Sequence, residues 1–247
     1  MAPGVYKTTW SMGCLVAMCR PFVPCCRICQ MPTTKPAESR NLAAEADRAV
    51  VRDALAQIGK DIGALADPKR AEGVRIAVPG ARTNGAPVPG LRDVARRATT
   101  PRGKVSFATA CAILDALARR GDRESLLVGT FIVAKHQAAL KTTPWSRIVP
   151  WLRAVDNWET CDQLSAAVIA TMVDAQPALA RHVLALTKSK DQWQRRLAVA
   201  TAASLNQHGR SQPATTVAVC RALEKDPEPR IRRAVEWARR ELARNSV

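Results

Sequence analysis

The sequence is short of the marks that identify most catalytic folds. It has no Gly-rich phosphate loop, no paired-carboxylate glycosidase motif and no nucleophile elbow, so the usual routes to phosphoryl transfer, sugar hydrolysis and acyl transfer are not signposted. No run of about 18 apolar residues occurs, and no membrane span is expected. The apolar piece from Met12 to Met18 is interrupted by Cys14 and soon followed by Cys19, Arg20 and Pro21, too short and badly flanked for a signal peptide. An intracellular, cytoplasmic protein is the expectation. His136, His182 and His208 stand isolated on helical patterns and read as structural or solvent-facing. Acid is also scarce. Against 38 Lys+Arg there are 21 Asp+Glu, a formal charge of +17 over 247 residues. That imbalance points to a polyanionic partner, nucleic acid first, although net charge speaks to association and solubility rather than to fold.

Cysteines fall into two populations. Cys14, Cys19, Cys25, Cys26 and Cys29 crowd the first 30 residues, while Cys111, Cys161 and Cys220 are scattered in helical patterns. Cys26 and Cys29 form one C-x-x-C, but no His and no second pair lies at zinc-finger spacing, so neither a metal nor another cofactor is expected. Residues 1–40 read as a disordered, Cys-rich N-terminal extension, or as a stretch upstream of a start at Met31. Residues 41–247 read as one domain, and 47% hydrophobic content is enough for one sizeable core.

Within that domain the pattern is helical. From Leu42 to Leu65, Ala and Leu alternate with charges at helical spacing, and Asp67-Pro68 closes the segment. Gly73 to Gly90, rich in Pro and Gly, reads as a structured loop leading into a helix at Leu91 to Ala98. Asp122, Asp156, Asp191 and Asp226 then recur at separations of 34, 35 and 35 residues. Each precedes an apolar helical run as a cap would. Glu159 and Gln194 stand in capping-box position, and Pro227 suits a first helical position. Pro144, Pro177 and Pro213 keep the same phase, 12 to 14 residues before the next Asp. Each repeat of about 35 residues is therefore a helix pair, which predicts an all-α, HEAT-like solenoid with a concave basic groove lined by the second helices. The tetratricopeptide signature is missing.

Two segments carry candidate chemistry. In the last helix, Pro229 to Arg244, a turn of about 100° per residue places Ile231, Val235, Ala238 and Leu242 on one apolar stripe. Arg230, Arg233, Trp237, Arg240 and Arg244 fall on the opposite side. A packed indole is the ordinary explanation of such a Trp, but arginines around an exposed aromatic also make a phosphate-binding surface with a stacking platform. In the second segment Trp158 and Asp162 are four apart, on one helix face, beside an apolar stripe of Leu164, Val168 and Met172. Trp193 repeats the phase of Trp158 one unit later, with Arg195 and Arg196 beside it.

These segments resemble a known family. Asn157-Trp158-Glu159-Thr160-Cys161-Asp162, Gln192-Trp193-Gln194-Arg195-Arg196 and Ile231 to Glu241, and more loosely Val88 to Arg92 and Gly121 to Glu124, are similar to the HEAT-like DNA glycosylases of the AlkD type. The resemblance covers roughly Asn41 to Arg244. It implies that Asp162 is the catalytic carboxylate, that Trp158 and Trp237 pack on the deoxyribose and backbone of the lesion, and that Arg196, or Arg195, holds a phosphate. It implies a substrate of duplex DNA carrying cationic N-alkylated purines such as N3-methyladenine and N7-methylguanine, approached from the backbone side. Trp193, Arg233, Arg240 and Arg244 complete the expected DNA-binding set, and the protein is expected to be a monomer at the nucleoid. One departure is Glu236, an acid directly before Trp237. The competing reading is a non-catalytic HEAT-repeat scaffold that binds nucleic acid or an acidic protein through the same groove.

Overall fold

The computed structural model describes residues 36–99 and 105–244, with side chains described from residue 47. Two compact units divide the chain, residues 1–41 and residues 42–247. Of the first, only the opening of α1 (Pro36–Ala64) is among the described residues, and the five N-terminal cysteines lie outside them. Every regular element described is helical. After α1 come α2 (Pro68–Ala77), α3 (Val88–Thr99), α4 (Phe107–Ala118), α5 (Arg123–Ala134), the single turn α6 (Gln137–Leu140) and α7 (Trp145–Arg153). Then follow α8 (Trp158–Leu164), α9 (Ala170–Ala175), α10 (Ala180–Leu186), α11 (Gln192–Ser204), α12 (Pro213–Leu223) and α13 (Pro229–Arg244). A π-helical turn, Ser165–Ile169, joins α8 to α9, and a 3-10 turn, Pro177–Leu179, leads into α10.

Local chemistry accounts for the helix starts and corrects several expectations. Asp67 opens a helix rather than closing one: its carboxylate accepts from Arg70 N at 3.0 Å, and Pro68 fills the first position of α2. Gly73 is consequently inside α2, and the loop expected from Gly73 shrinks to the ten residues between Ala77 and Val88. Of the four phased aspartates, Asp122 and Asp191 do cap, accepting from Ser125 N at 2.8 Å and Trp193 N at 2.9 Å. At the second mark the cap is Asn157, whose side chain accepts from Thr160 N at 3.0 Å, while Asp156 accepts from Asn157 Nδ2 at 2.8 Å. Asp226 is buried and receives Arg195 and Glu228 N, and α13 begins at Pro229 rather than at Pro227. Neither capping box forms. Glu159 accepts from Arg123 Nε instead, and Gln194 donates to Leu152 O at 2.6 Å. His208 is solvent-facing as expected but stands on an exposed turn with φ of 56° rather than in a helix, and His136 lies just before α6 rather than within a helix.

The helices pair as the phase requires. α4 packs on α5, α10 on α11 and α12 on α13, while α7 leads directly into α8. Contacts from α3 to α5, α5 to α8, α8 to α11 and α11 to α13 make the second members one continuous row. One core cluster runs the length of that row, from Ala54 on α1 to Ala238 on α13. α5 and α11 are its centre, the latter buried from Leu197 to Ser204. Leu164, Val168 and Met172 are buried, as are Ile231, Val235 and Ala238, with Leu242 half-buried. Trp151 is the largest fully buried side chain among the described residues, and its indole N–H donates to Asp115 Oδ1 at 2.7 Å. No helix among the described residues is long and apolar enough to cross a membrane.

Candidate functional site

The site is assembled from α8, α11 and α13, three neighbours in the row. Asn157 caps α8 and so fixes the start of the helix that carries Trp158 and Asp162 on one face. From α11, Arg196 reaches Asp162 with three hydrogen bonds: Nε to Oδ1 at 3.1 Å, and Nη2 to Oδ1 at 2.9 Å and Oδ2 at 2.8 Å. The same guanidinium stands 6.0 Å from the centroid of the Trp237 ring on α13. Asp162, Arg196 and Trp237 therefore form one contact chain across three helices. Trp158, Trp193, Arg196 and Arg233 also line an open cleft of about 240 Å³, together with Ala77, Gln192, Glu228, Arg230 and Ile231, whereas Asp162 and Trp237 stand behind Arg196 and outside that lining. Residues far apart in sequence thus meet across three neighbouring helices.

Electrostatics at Asp162 are divided. Burial raises its carboxyl above the ordinary aspartate value, Arg196 pulls it down by charge and by hydrogen bonding, and Glu159 pushes it up again. Burial wins. Its side chain is 22% exposed and that of Arg196 13%, so the pair is only weakly screened by water.

The indoles of Trp158 and Trp237 are both fixed through their N–H groups. Trp158 Nε1 donates to the carbonyl of Ala77, the last residue of α2, at 2.8 Å. Trp237 Nε1 donates to Glu241 Oε1 at 3.2 Å, and Glu241 also receives Arg244 at 2.9 Å. Neither anchor was foreseen. Glu241 had a signal, since it lies four residues after Trp237 on the same helix face; a backbone carbonyl such as that of Ala77 has none.

The expected phosphate ligands separate. Arg195 is tied to Asp226 at 2.7 and 3.2 Å and to the carbonyls of Ser189 and Lys190, a bracing role between α11 and the turn before α13. Of the adjacent pair it is Arg196 that reaches the cleft. Arg233 is exposed at its edge, whereas Arg240 and Arg244 are exposed further along α13, outside the lining. Glu236 pairs with Arg239 at 3.0 Å. A further basic-aromatic contact lies along the row, where Arg92 of α3 stands 5.1 Å over the ring of Phe131 of α5 and approaches Gln163 Oε1 at 3.5 Å. Cys161, next to Asp162, is fully buried, and burial pushes its thiol well above the ordinary value. That burial suits a core residue rather than a nucleophile.

Residues 58–246, three-quarters of the chain and the whole of this site, match the model of a family described as DNA alkylation repair enzyme. The chain belongs to that family. DNA is the polyanion that such enzymes handle, which accords with a charge of +17. A comparison with curated proteins finds no match.

Proposed function

We propose that the protein is a DNA glycosylase that hydrolyses the N-glycosidic bond of cationic N-alkylated purines, N3-methyladenine and N7-methylguanine, in duplex DNA. The helix row, read as a HEAT-like solenoid, would offer its inner face to the duplex, with the protein acting as a monomer at the nucleoid in the cytoplasm. The observation that carries this reading is the contact chain of Asp162, Arg196 and Trp237, which reaches through Arg196 the open cleft that Trp158 and Trp193 line.

The chemistry asks little of the protein. An alkylated purine is already positively charged, so breaking the bond between C1′ and the base nitrogen sends the bonding electrons onto the base and neutralises it. The barrier lies in positive charge developing on the sugar. Asp162 supplies a fixed negative charge for that moment, in a partly buried setting where charge counts for more than in water. Water then bonds to C1′ and releases a proton to solvent. Trp158 and Trp237, each held by its N–H, present rigid faces to the sugar and backbone. A shallow, open cleft suits approach from the backbone side better than a flipped base in a deep pocket.

The test is base release from methylated duplex DNA. Asp162→Asn should abolish release of 7-methylguanine while DNA binding persists; undiminished release would sink the assignment. A second reading has an observation of its own, since the Asp162 carboxylate is occupied by Arg196 as an ordinary structural ion pair would be. Under it the protein is a non-catalytic scaffold that binds nucleic acid or an acidic protein, Trp237→Ala weakens binding, and no alkylated substrate is cut.

A further inference from the structure

We infer that Arg196 is a specificity-determining residue that holds Asp162 neutralised until a backbone phosphate beside the lesion takes the guanidinium away; this rests on the glycosylase reading above. Both oxygens of Asp162 are engaged by Arg196. Acid and base together carry no net charge, so a sugar cation forming at the cleft would meet a dipole in place of a carboxylate. The charge needed for the reaction is present but cancelled.

The placement of Arg196 supplies the release. Its planar fork fits phosphate as well as it fits carboxylate, with two parallel donors for either anion. It lines the cleft itself, where the exposed Arg230 and Arg233 outweigh the single lining acid, Glu228, and draw a polyanion to that spot. Behind it the Trp237 ring gives the guanidinium a surface along which to move while keeping a cation–π contact. Exchanging one anion for another keeps Arg196 paired throughout, so the swap avoids stranding a weakly solvated cation. Asp162, once released, regains an uncompensated negative charge directly behind the part of the cleft that Arg196 lines. The consequence is a requirement for linked phosphates: alkylated nucleosides, which lack them, leave the pair closed and are not hydrolysed.

Two measurements on the full chain decide it. In single-turnover assays with saturating protein, a 7-methylguanine duplex with neutral methylphosphonate linkages flanking the lesion should react more slowly than the native duplex, on the order of a hundredfold. In Arg196→Gln the two duplexes should react at one common rate. Equal rates on both duplexes in the wild type overturn the inference. The second readout needs no base release. With ¹³C-aspartate labelling at fixed neutral pH, and the signal assigned through Asp162→Asn, the Asp162 carboxylate resonance should move when undamaged duplex binds the wild type. It should stay put in Arg196→Gln. A wild-type resonance unchanged with DNA bound overturns the exchange, whereas an absence of base release from native alkylated DNA overturns the glycosylase reading and leaves the spectroscopic result standing.

Discussion

Replacing Arg123 by Met should cost the fold about 3–5 kcal/mol, because it breaks a buried charge network from one side. Arg123 sits in the first turn of α5 with a side-chain exposure of 2%. Its Nε donates to Glu159 of α8 at 2.5 Å, and its Nη1 donates to Glu124 at 2.9 Å and to Ala86 O at 3.1 Å. Glu124 in turn receives the hydroxyl of Thr83. Burial by itself disfavours the guanidinium charge, and the two glutamates more than restore it. Met keeps the apolar stem and removes the cation, leaving Glu124 at 1% exposure and Glu159 at 17%. Counted by bonds, two charge-assisted hydrogen bonds at about 1.5–3 kcal/mol each give about 3–6 kcal/mol, with the share of Glu159 discounted for its contact with water. The two routes agree. Urea unfolding of the full chain measures the loss, and adding Glu124→Gln to Arg123→Met should restore part of it by removing the stranded charge. A loss under about 1 kcal/mol, the level of a surface pair, would refute the reasoning, as would a double variant no more stable than the single one.

Other outcomes follow from the same geometry. Gly129→Ala in α5 should cost about 1–3 kcal/mol in thermal or urea unfolding, because a Cβ there would lie 2.5 Å from Leu114 Cδ1 and 3.2 Å from Leu114 Cα on α4. The rate of base release as kcat/KM should fall with acid at a pH above the ordinary aspartate value of 3.8, since a carboxyl raised by burial takes up its proton earlier as pH drops. In Arg196→Gln that limb should move higher still, the opposing pull being gone; a profile flat to below the ordinary value would contradict the role of Asp162. Arg233→Ala should weaken DNA binding across sequences and reduce the slope of log affinity against log salt by about 1, as measured by titration at several salt concentrations. Glu241→Ala should lower the rate of base release and alter Trp237 fluorescence, while Glu241→Gln, which keeps an acceptor for the indole N–H, should restore both.

The repeat phase was legible because its marks did not depend on what each residue does. Asp156 and Asp226 hold their places in the series although neither caps a helix, so the period emerged intact while the local chemistry was misassigned. Asn157 and Asp156 are adjacent and chemically alike as caps, and only the course of the backbone selects one. Trp158 and Trp193 were placed together by phase and do share a cleft. Arg195 and Arg196 were not separable, because adjacent helical residues differ by about 100° and the facing acids, Asp226 and Asp162, lie more than 30 residues off in opposite directions. The amphipathic pattern of α13 predicted its buried stripe, yet the distribution of its arginines between cleft and flank depends on where α8 ends up. Gly73 misled for a different reason: an isolated glycine in a helix costs only about 1 kcal/mol, which the Asp67 cap and Pro68 offset.

The bond from Trp158 to the carbonyl of Ala77 spans 81 residues. In most repeat arrays each unit touches only its neighbours, and units can be trimmed, duplicated or transplanted with local effects. This row of helices is not modular in that sense. A fragment that begins at α3 retains every side chain of the cleft that comes from α8, α11 and α13, yet frees the indole that forms one wall. The carbonyl of Asp156, at the entry to α8, also lies beside Gly80, just beyond α2. An early, unremarkable helix thus acts as the abutment for a site encoded far downstream. Transplanting the chemistry to another scaffold would require carrying residues 68–244 as one piece.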